Sequence, residues 1–82
     1  MSAKVLFFSL LQDITREDET EFSLPSGSVS VGDLLALLFA KYPGLEDWDE
    51  KLLIAVNCDF ATREDLVKSG DEVAIMPPVQ GG

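Results

Sequence analysis

Residues 30–44 read SVGDLLALLFAKYPG, and this stretch decides the fold because it carries the helical pattern of the chain. Ser30 suits the N-cap position, and Asp33 can complete a capping-box-like pair while lying in the positive field of the first turn. One face of the predicted helix is apolar and consists of Val31, Leu34, Leu35 and Leu38. Pro43 and Gly44 end the element, so we expect one amphipathic helix from about residue 31.

Two strands are predicted before this helix. Residues 5–8 read VLFF, a β-branched and aromatic run that we expect to be buried on both faces of a sheet. Residues 20–24 alternate between apolar and polar side chains, which is the period of a half-buried strand, and the Pro-Ser-Gly at 25–27 stops it. Acidic residues 17–19 mark the connection, so the two strands should form an antiparallel hairpin with a long loop.

Two more strands are predicted after the helix. Residues 52–56 read LLIAV, residues 57–59 make a turn, and Phe60 begins a short return. A second turn at residues 69–72 leads into a last strand over residues 73–76, VAIM. Pro77 and Pro78 end this strand because neither can donate a ladder hydrogen bond. The order is strand, strand, helix, strand, strand.

This order predicts an α+β protein with one main helix on one face of a mixed sheet. With the first and last strands side by side, it is the β-grasp, or ubiquitin-like, fold. We expect one domain over residues 1–78 and an extended tail over residues 79–82. Leu45 and Trp48 are candidates to cover the flanks of the apolar helix.

The residue types that are missing argue against catalysis by the chain alone. It has no histidine and a single cysteine, Cys58, so a His/Cys metal site and an internal disulfide are excluded, and we predict no bound metal. The commonest general base is absent as well. Cys58 lies in a turn without a basic neighbour, which favours a small apolar filler over a reactive thiol.

The net charge of −9, from 15 acidic and 6 basic residues, repels phosphate backbones and anionic lipids. We therefore expect neither nucleic acid nor membrane as a partner. The longest uncharged apolar run, residues 34–40, is far shorter than the roughly 20 residues that span a bilayer. The acidity fits a basic protein partner and also simple solubility.

The chain ends, after Pro77 and Pro78, in Val79, Gln80, Gly81 and Gly82. Four residues reach about 13 Å when extended, and two glycines could enter a channel too narrow for a side chain. The terminal carboxylate needs activation before it can react, for which an ATP-dependent partner making an acyl-adenylate is one route. A frayed end without a function is the alternative.

The stretch GDEVAIMPPVQGG at residues 70–82 resembles the carboxyl end of MoaD-type small subunits of molybdopterin synthase, within the MoaD/ThiS ubiquitin-like family. Residues 4–8 and 52–57 are similar to that family too. The resemblance implies that an E1-like MoeB-type enzyme uses ATP to adenylate Gly82, which becomes a thiocarboxylate. A large MoaE-type subunit then receives the tail, and sulfur passes to a pterin precursor.

The resemblance also implies a role for each residue of the tail. Gly82 would be the sulfur carrier and Gly81 the slim approach residue. Pro77, Pro78 and Val79 would line the entry to the partner's channel, and Gln80 would belong to the same tail segment. The small subunit would bind no cofactor and act as a co-substrate, in a cytoplasmic heterotetramer of two small and two large subunits. Catalytic residues would belong to the large subunit.

A docking surface is predicted on the sheet face away from the helix. If Val5, Phe7, Val73 and Ile75 face the helix, alternation places Leu6, Phe8, Ala74 and Met76 on the other face. The resemblance assigns Phe8, Phe60 and Met76 to the surface that docks the large subunit and the activating enzyme. The alternative is that loops cover these residues.

Three other functions remain open from the sequence. A ThiS-type carrier for thiamine synthesis shares the fold and the Gly-Gly end, and a ubiquitin-like modifier would join Gly82 to a lysine of a target protein. A β-grasp interaction module would leave the tail without a role.

Overall fold

The structure is a computed structural model that describes residues 1–24 and 26–78. Its strands are β1 (Ser2–Phe7), β2 (Glu19–Ser23), β3 (Ser28–Ser30), β4 (Leu53–Val56), β5 (Asp59–Phe60), β6 (Leu66–Lys68) and β7 (Glu72–Met76). Two α-helices, α1 (Leu10–Thr15) and α2 (Val31–Lys41), and a 3-10 helix, Pro43–Lys51, complete the described chain.

Five strands form a mixed sheet in the order β2-β1-β7-β4-β5. β1 and β7, the first and last strands, run parallel in the centre, and the other neighbours are antiparallel. β3 and β6 form a separate two-stranded antiparallel sheet. A mixed sheet with parallel central strands and one main helix on one face is the β-grasp fold, so the predicted fold and the predicted hairpin of β1 and β2 are confirmed.

Helix α2 begins and ends where the sequence predicts. The Ser30 hydroxyl accepts a hydrogen bond from the Asp33 backbone N–H at 3.1 Å, which satisfies one of the donors that a helix leaves unpaired at its start. The four predicted core positions, Val31, Leu34, Leu35 and Leu38, are all buried. Leu45, in the 3-10 helix, is also buried, and Trp48 packs partly against the core, as predicted for the helix flanks.

The central strands contribute alternate residues to this core. Val5, Phe7, Val73 and Ile75 are each no more than 1% exposed, as predicted. The expectation that residues 5–8 are buried on both faces is wrong, because Leu6 is only half-buried and Phe8 is exposed. The core lies on one side of the sheet, and a strand covered on one face alternates.

The long loop predicted between the first two strands contains α1, and the segment after α2, for which no element was predicted, forms the 3-10 helix. Each is an irregular or short element, and only Leu11 and Thr15 of α1 are buried. Six residues are too few to show a helical period, and the apolar start of α1 continues the apolar run of β1. β3 and β6 were missed for the same reason, since each has three residues.

The prediction that Cys58 fills a gap in the interior is wrong, because its side chain is exposed. Asn57 and Cys58 form the two-residue turn between β4 and β5, with φ of 50° and 73°. Positive φ at both central residues is the geometry of a type I′ hairpin, so Cys58 belongs to a tight turn rather than to the core.

Residues 79–82, assigned by the sequence to a tail, lie outside the described residues, as does Pro25. The division into a domain over 1–78 and a tail over 79–82 therefore stays a prediction. Within residues 1–24 and 26–78, no helix has the length and apolar character to cross a membrane. The same residues contain no group of three or more Cys, Asp or Glu side chains placed to hold a metal ion.

Candidate functional site

The sheet face away from α2, here called the open face, carries the residues predicted for docking. The register aligns Leu6 with Ala74, Ala74 with Ala55, and Ala55 with Phe60, so these four positions form one row across β1, β7, β4 and β5. Side chains at directly opposed positions of neighbouring strands lie on the same face. Phe60 therefore shares the open face with Leu6, although the two residues are 54 positions apart in the sequence.

A second row lies toward the carboxyl end of β7. Met76 is opposite Leu53 of β4, and Phe8 follows β1 with its N–H donating to the Ile75 carbonyl at 3.2 Å. Phe8 is 42% exposed and Phe60 is 79% exposed, while Met76 is half-buried. The exposure of both phenylalanines argues against the alternative that loops cover these residues.

We call the larger apolar residues of this face, Leu6, Phe8, Leu53, Phe60 and Met76, the open-face patch. Between them lies the alanine pair Ala55 and Ala74, whose side chains end at the β-carbon. Short side chains flanked by long ones give the patch a low centre with raised edges. Such a surface fits an apolar knob of a partner, and exposed contiguous apolar surface of this kind marks interaction sites.

The sequence placed Ala74 on this face correctly, but Leu53 and Ala55 were not predicted to belong to it. The sequence does contain a signal for this face. If the strand predicted at residues 52–56 pairs antiparallel with the last strand, one of its residues must lie opposite Met76 and share its face. What the sequence did not give is the register, which decides whether Leu52 or Leu53 takes that place. The structure buries Leu52 at 8% exposure and turns Leu53 to the open face.

The pairing of β1 with β7 ends at Pro77, which is the start of the segment predicted to reach the partner. In the parallel ladder, residue 77 would donate the next hydrogen bond to the Phe8 carbonyl, but proline has no N–H. That carbonyl instead accepts from the Leu11 N–H at 3.1 Å, in the first turn of α1. Gln12 Nε2 donates to the Phe7 carbonyl at 3.0 Å, so both carbonyls at the end of β1 are satisfied from α1.

The chain therefore leaves the sheet beside Phe8 and Met76. Pro77 and Pro78 are half-buried, and both belong to the predicted channel segment. Val79, Gln80, Gly81 and Gly82 lie outside the described residues, and their predicted roles stay predictions. Gly82 is six positions beyond Met76 in the sequence, and six residues of extended chain span at most about 20 Å.

A group of hydrogen bonds around Asn57 and Asp71, which we call the clip, lies at the end of the sheet away from Phe8 and Met76. Asp71 accepts from Asn57 Nδ2 at 2.9 Å and from the Lys68 N–H at 2.7 Å, and Asn57 Oδ1 accepts from the Glu72 N–H at 3.0 Å. The hydrogen bond from Asn57, followed by that from Lys68, lowers the pKa of Asp71 below its usual value of 3.8. The clip ties the β4–β5 turn to the start of β7 and thereby fixes the strand that carries Phe60.

Fold and sequence together define a class of protein: a ubiquitin-like β-grasp domain with an apolar open face and a Gly-Gly carboxyl end. Residues 5–82 match the model of the ThiS family, and the chain belongs to that family. It is similar to the molybdopterin synthase sulfur carrier subunit of Chlamydomonas reinhardtii, at 36% identity over the full length of both chains.

Solved structures show the same fold. A molybdopterin converting factor subunit 1 from Pyrococcus furiosus superposes with a TM-score of 0.84 at 29% identity, covering 96% of this chain and 99% of that one. The complex of subunits 1 and 2 of the molybdopterin-converting factor of Helicobacter pylori gives 0.70 at 28% identity, covering all of both chains. Small archaeal modifier protein 1 of Methanosarcina acetivorans gives 0.80 at 29% identity, covering 99% and 96%.

Proposed function

We propose that this chain is the sulfur-carrier subunit of a molybdopterin synthase and that Gly82 carries the sulfur. The observation that carries the proposal is the full-length similarity, at 36% identity, to a relative that bears this name. The Gly-Gly end and the family match through residue 82 support the assignment of the working group to the terminus.

The proposed chemistry proceeds in three steps. The Gly82 carboxylate attacks the α-phosphate of ATP in an E1-like MoeB-type enzyme, which forms an acyl-adenylate and releases pyrophosphate. Hydrosulfide from the sulfide donor then adds to the carbonyl, and AMP leaves with loss of one proton, which gives the thiocarboxylate. The thiocarboxylate sulfur finally forms a bond to a pterin precursor in the large subunit, and water cleaves the acyl–sulfur bond, which leaves the sulfur on the pterin and restores the Gly82 carboxylate. Gly82 has no β-carbon to obstruct attack on its carbonyl.

Docking is proposed to use the open-face patch. Phe8 and Met76 lie beside the point where the chain leaves the sheet, so a partner that covers them is well placed to receive the residues that follow Pro77. Pro77, Pro78, Val79, Gln80 and Gly81 would line the approach to its active site. The subunit complex from Helicobacter pylori supports a large-subunit partner, and the proposed assembly is a cytoplasmic heterotetramer of two small and two large subunits.

The division of labour follows from the chemistry that the chain lacks. With no histidine in its sequence, it acts as a co-substrate, and the activating enzyme and the large MoaE-type subunit supply the catalytic groups. In this proposal the chain itself binds neither ATP nor a cofactor.

The test is intact-mass analysis after incubation of the full chain with ATP, a sulfide donor and the activating enzyme. We expect the mass change of one oxygen replaced by sulfur, mapped to Gly82 by fragmentation. A chain that lacks Gly82 is the matched control and should stay unmodified while its melting temperature is unchanged. Modification of the shortened chain, or loading at another residue, would contradict the proposal.

A second candidate is a ubiquitin-like modifier, which the similarity to small archaeal modifier protein 1 favours. In that function the activated Gly82 carbonyl would form an isopeptide bond with a lysine of a target protein. Higher-mass conjugates that depend on Gly82 would support this function. A ThiS-type carrier for thiamine synthesis is distinguished by its failure to copurify with a large molybdopterin synthase subunit.

A further inference from the structure

A groove of about 490 Å³ runs between the edge strand β5 and strand β6, at the end of the sheet opposite β2. We call it the lateral groove. Its apolar lining includes Phe60, at 79% exposure, and Leu66, at 56%, together with the half-buried Val56 and Ala61. Two large apolar side chains this exposed on a small domain indicate a surface that contacts another molecule.

The main chain of β5 is also open toward a further strand. Ala61 donates to the Ile54 carbonyl at 2.9 Å, so residues 59 and 61 use their hydrogen bonds toward β4. Because alternate residues of a strand point their N–H and C=O groups to opposite edges, those of Phe60 face outward. No strand of the described chain lies on that edge.

Strand β6 has the same arrangement on its own outer edge. The main-chain carbonyl of Asp65 accepts a hydrogen bond from the Val31 N–H at 2.8 Å, on the side of β3. The Lys68 N–H points away from β3 and donates to the Asp71 carboxylate. Alternation therefore turns the N–H and C=O groups of Leu66 away from β3 as well. Phe60 and Leu66 thus combine an exposed apolar side chain with main-chain groups that no described strand pairs.

The acidic side chains that line the lateral groove favour a basic occupant. Its lining includes three acidic residues, Asp59, Glu64 and Asp65, and one basic residue, Lys68. The two ion pairs of the described residues, Lys4 with Glu19 and Arg63 with Asp49, leave these three carboxylates unneutralised. The Asp65 carboxylate accepts one hydrogen bond, from the Thr62 N–H at 2.9 Å.

We propose that the lateral groove binds an extended, basic segment of a partner protein, which adds to β5 as a further strand. Main-chain bonds to Phe60 would supply pairing, an apolar side chain of the segment would lie between Phe60 and Leu66, and its Lys or Arg residues would meet the carboxylates. A second copy of this chain is disfavoured, because each copy carries a net charge of −9. The proposal does not depend on the sulfur-carrier function, since it uses the outer edge of β5 rather than the carboxyl end, and Phe60 is the one residue that the lateral groove shares with the open-face patch.

The test is an NMR titration of the ¹⁵N-labelled full chain with a blocked hexapeptide that alternates Lys and Val. We expect amide shifts at residues 59–61 and 66–68, slower hydrogen exchange at the Phe60 amide, and weaker binding as salt is raised. The matched peptide that alternates Glu and Val should produce none of these effects.

Two variants and one control distinguish the groove from the general acidity of the chain. Glu64→Lys should weaken binding of the Lys-Val peptide about 3-fold, the effect of an exposed ion pair, and Leu66→Asp should weaken it further. Glu50→Lys makes the same charge change on the 3-10 helix and should have less than half the effect of Glu64→Lys. The amide spectrum of each variant reports whether it is folded.

Three results would overturn the proposal. They are equal binding of the Glu-Val peptide, shifts confined to residues outside the groove, and equal weakening by Glu50→Lys and Glu64→Lys. The last result would mean that only the overall charge attracts the peptide. If Leu66→Asp does not fold, the comparison of the two charge reversals decides alone.

Discussion

Replacement of Phe8 by aspartate should weaken binding to the large molybdopterin synthase subunit without unfolding the domain. Phe8 is 42% exposed, and an aromatic side chain of this size presents roughly 200 Å² in all, so docking can remove about 80 Å² of its surface from water. At about 25 cal/mol per Å², the loss is about 2 kcal/mol, or roughly 30-fold in Kd. A carboxylate that must be desolvated in the same place adds to this loss.

The matched control is Leu37→Asp. Leu37 is 47% exposed, which is close to the exposure of Phe8, but it lies on α2, on the other side of the sheet. The same change from apolar to acidic at that position should alter Kd less than 3-fold, since an exposed surface charge changes binding by no more than about 0.6 kcal/mol away from an interface. The pair separates loss of the patch from the effect of added negative charge.

The assay is isothermal titration calorimetry of each full-length variant with the large subunit from the same organism, with the melting temperature measured in parallel. A Kd for Phe8→Asp within 3-fold of the unchanged chain, in a variant that remains folded, would remove Phe8 from the interface. Equal weakening by both variants would show that charge rather than the open-face patch controls docking.

Two further predictions concern stability. Ser30→Ala removes the acceptor for the Asp33 N–H and should lower the free energy of unfolding by about 1 kcal/mol in urea titration, whereas Ser28→Ala, in β3, should stay within about 0.5 kcal/mol. Asp71→Asn should destabilise by at most about 1 kcal/mol, because the site is exposed. Since the folded pKa of Asp71 lies below 3.8, its contribution is present above that pH and is lost as the pH falls through the folded pKa. The difference between the two chains should therefore be constant at neutral pH and shrink in acid, and a difference that grows in acid would contradict this reasoning.

The sequence predicted the elements whose signals are local. Ser30 and the apolar stripe of α2 are contained within one short stretch, and Pro77 and Pro78 mark the end of the last strand without reference to any other residue. The inward alternation of Val5, Phe7, Val73 and Ile75 was likewise correct, because the side-chain period of a strand is fixed at two. The family resemblance rested on contiguous residues and was confirmed by the match over residues 5–82.

Errors arose where an element is short or its environment is remote. Six residues of α1 are shorter than two turns of helix and carry no clear period, and the exposure of Cys58 depends on the turn that its neighbour Asn57 makes with it. The prediction of burial for Cys58 followed from the usual preference of the residue type, which the local backbone overrides.

By itself the sequence determined the fold class, the main helix and a carboxyl end without side chains, since each depends on residue types that are neighbours in the chain. Only the tertiary structure decided that Phe60 lies in one row with Leu6, that Leu53 rather than Leu52 joins the open-face patch, and that the lateral groove opens between β5 and β6. The physical reason is register. A shift of one residue between paired strands exchanges their two faces, and hydrogen bonds between distant segments set that register.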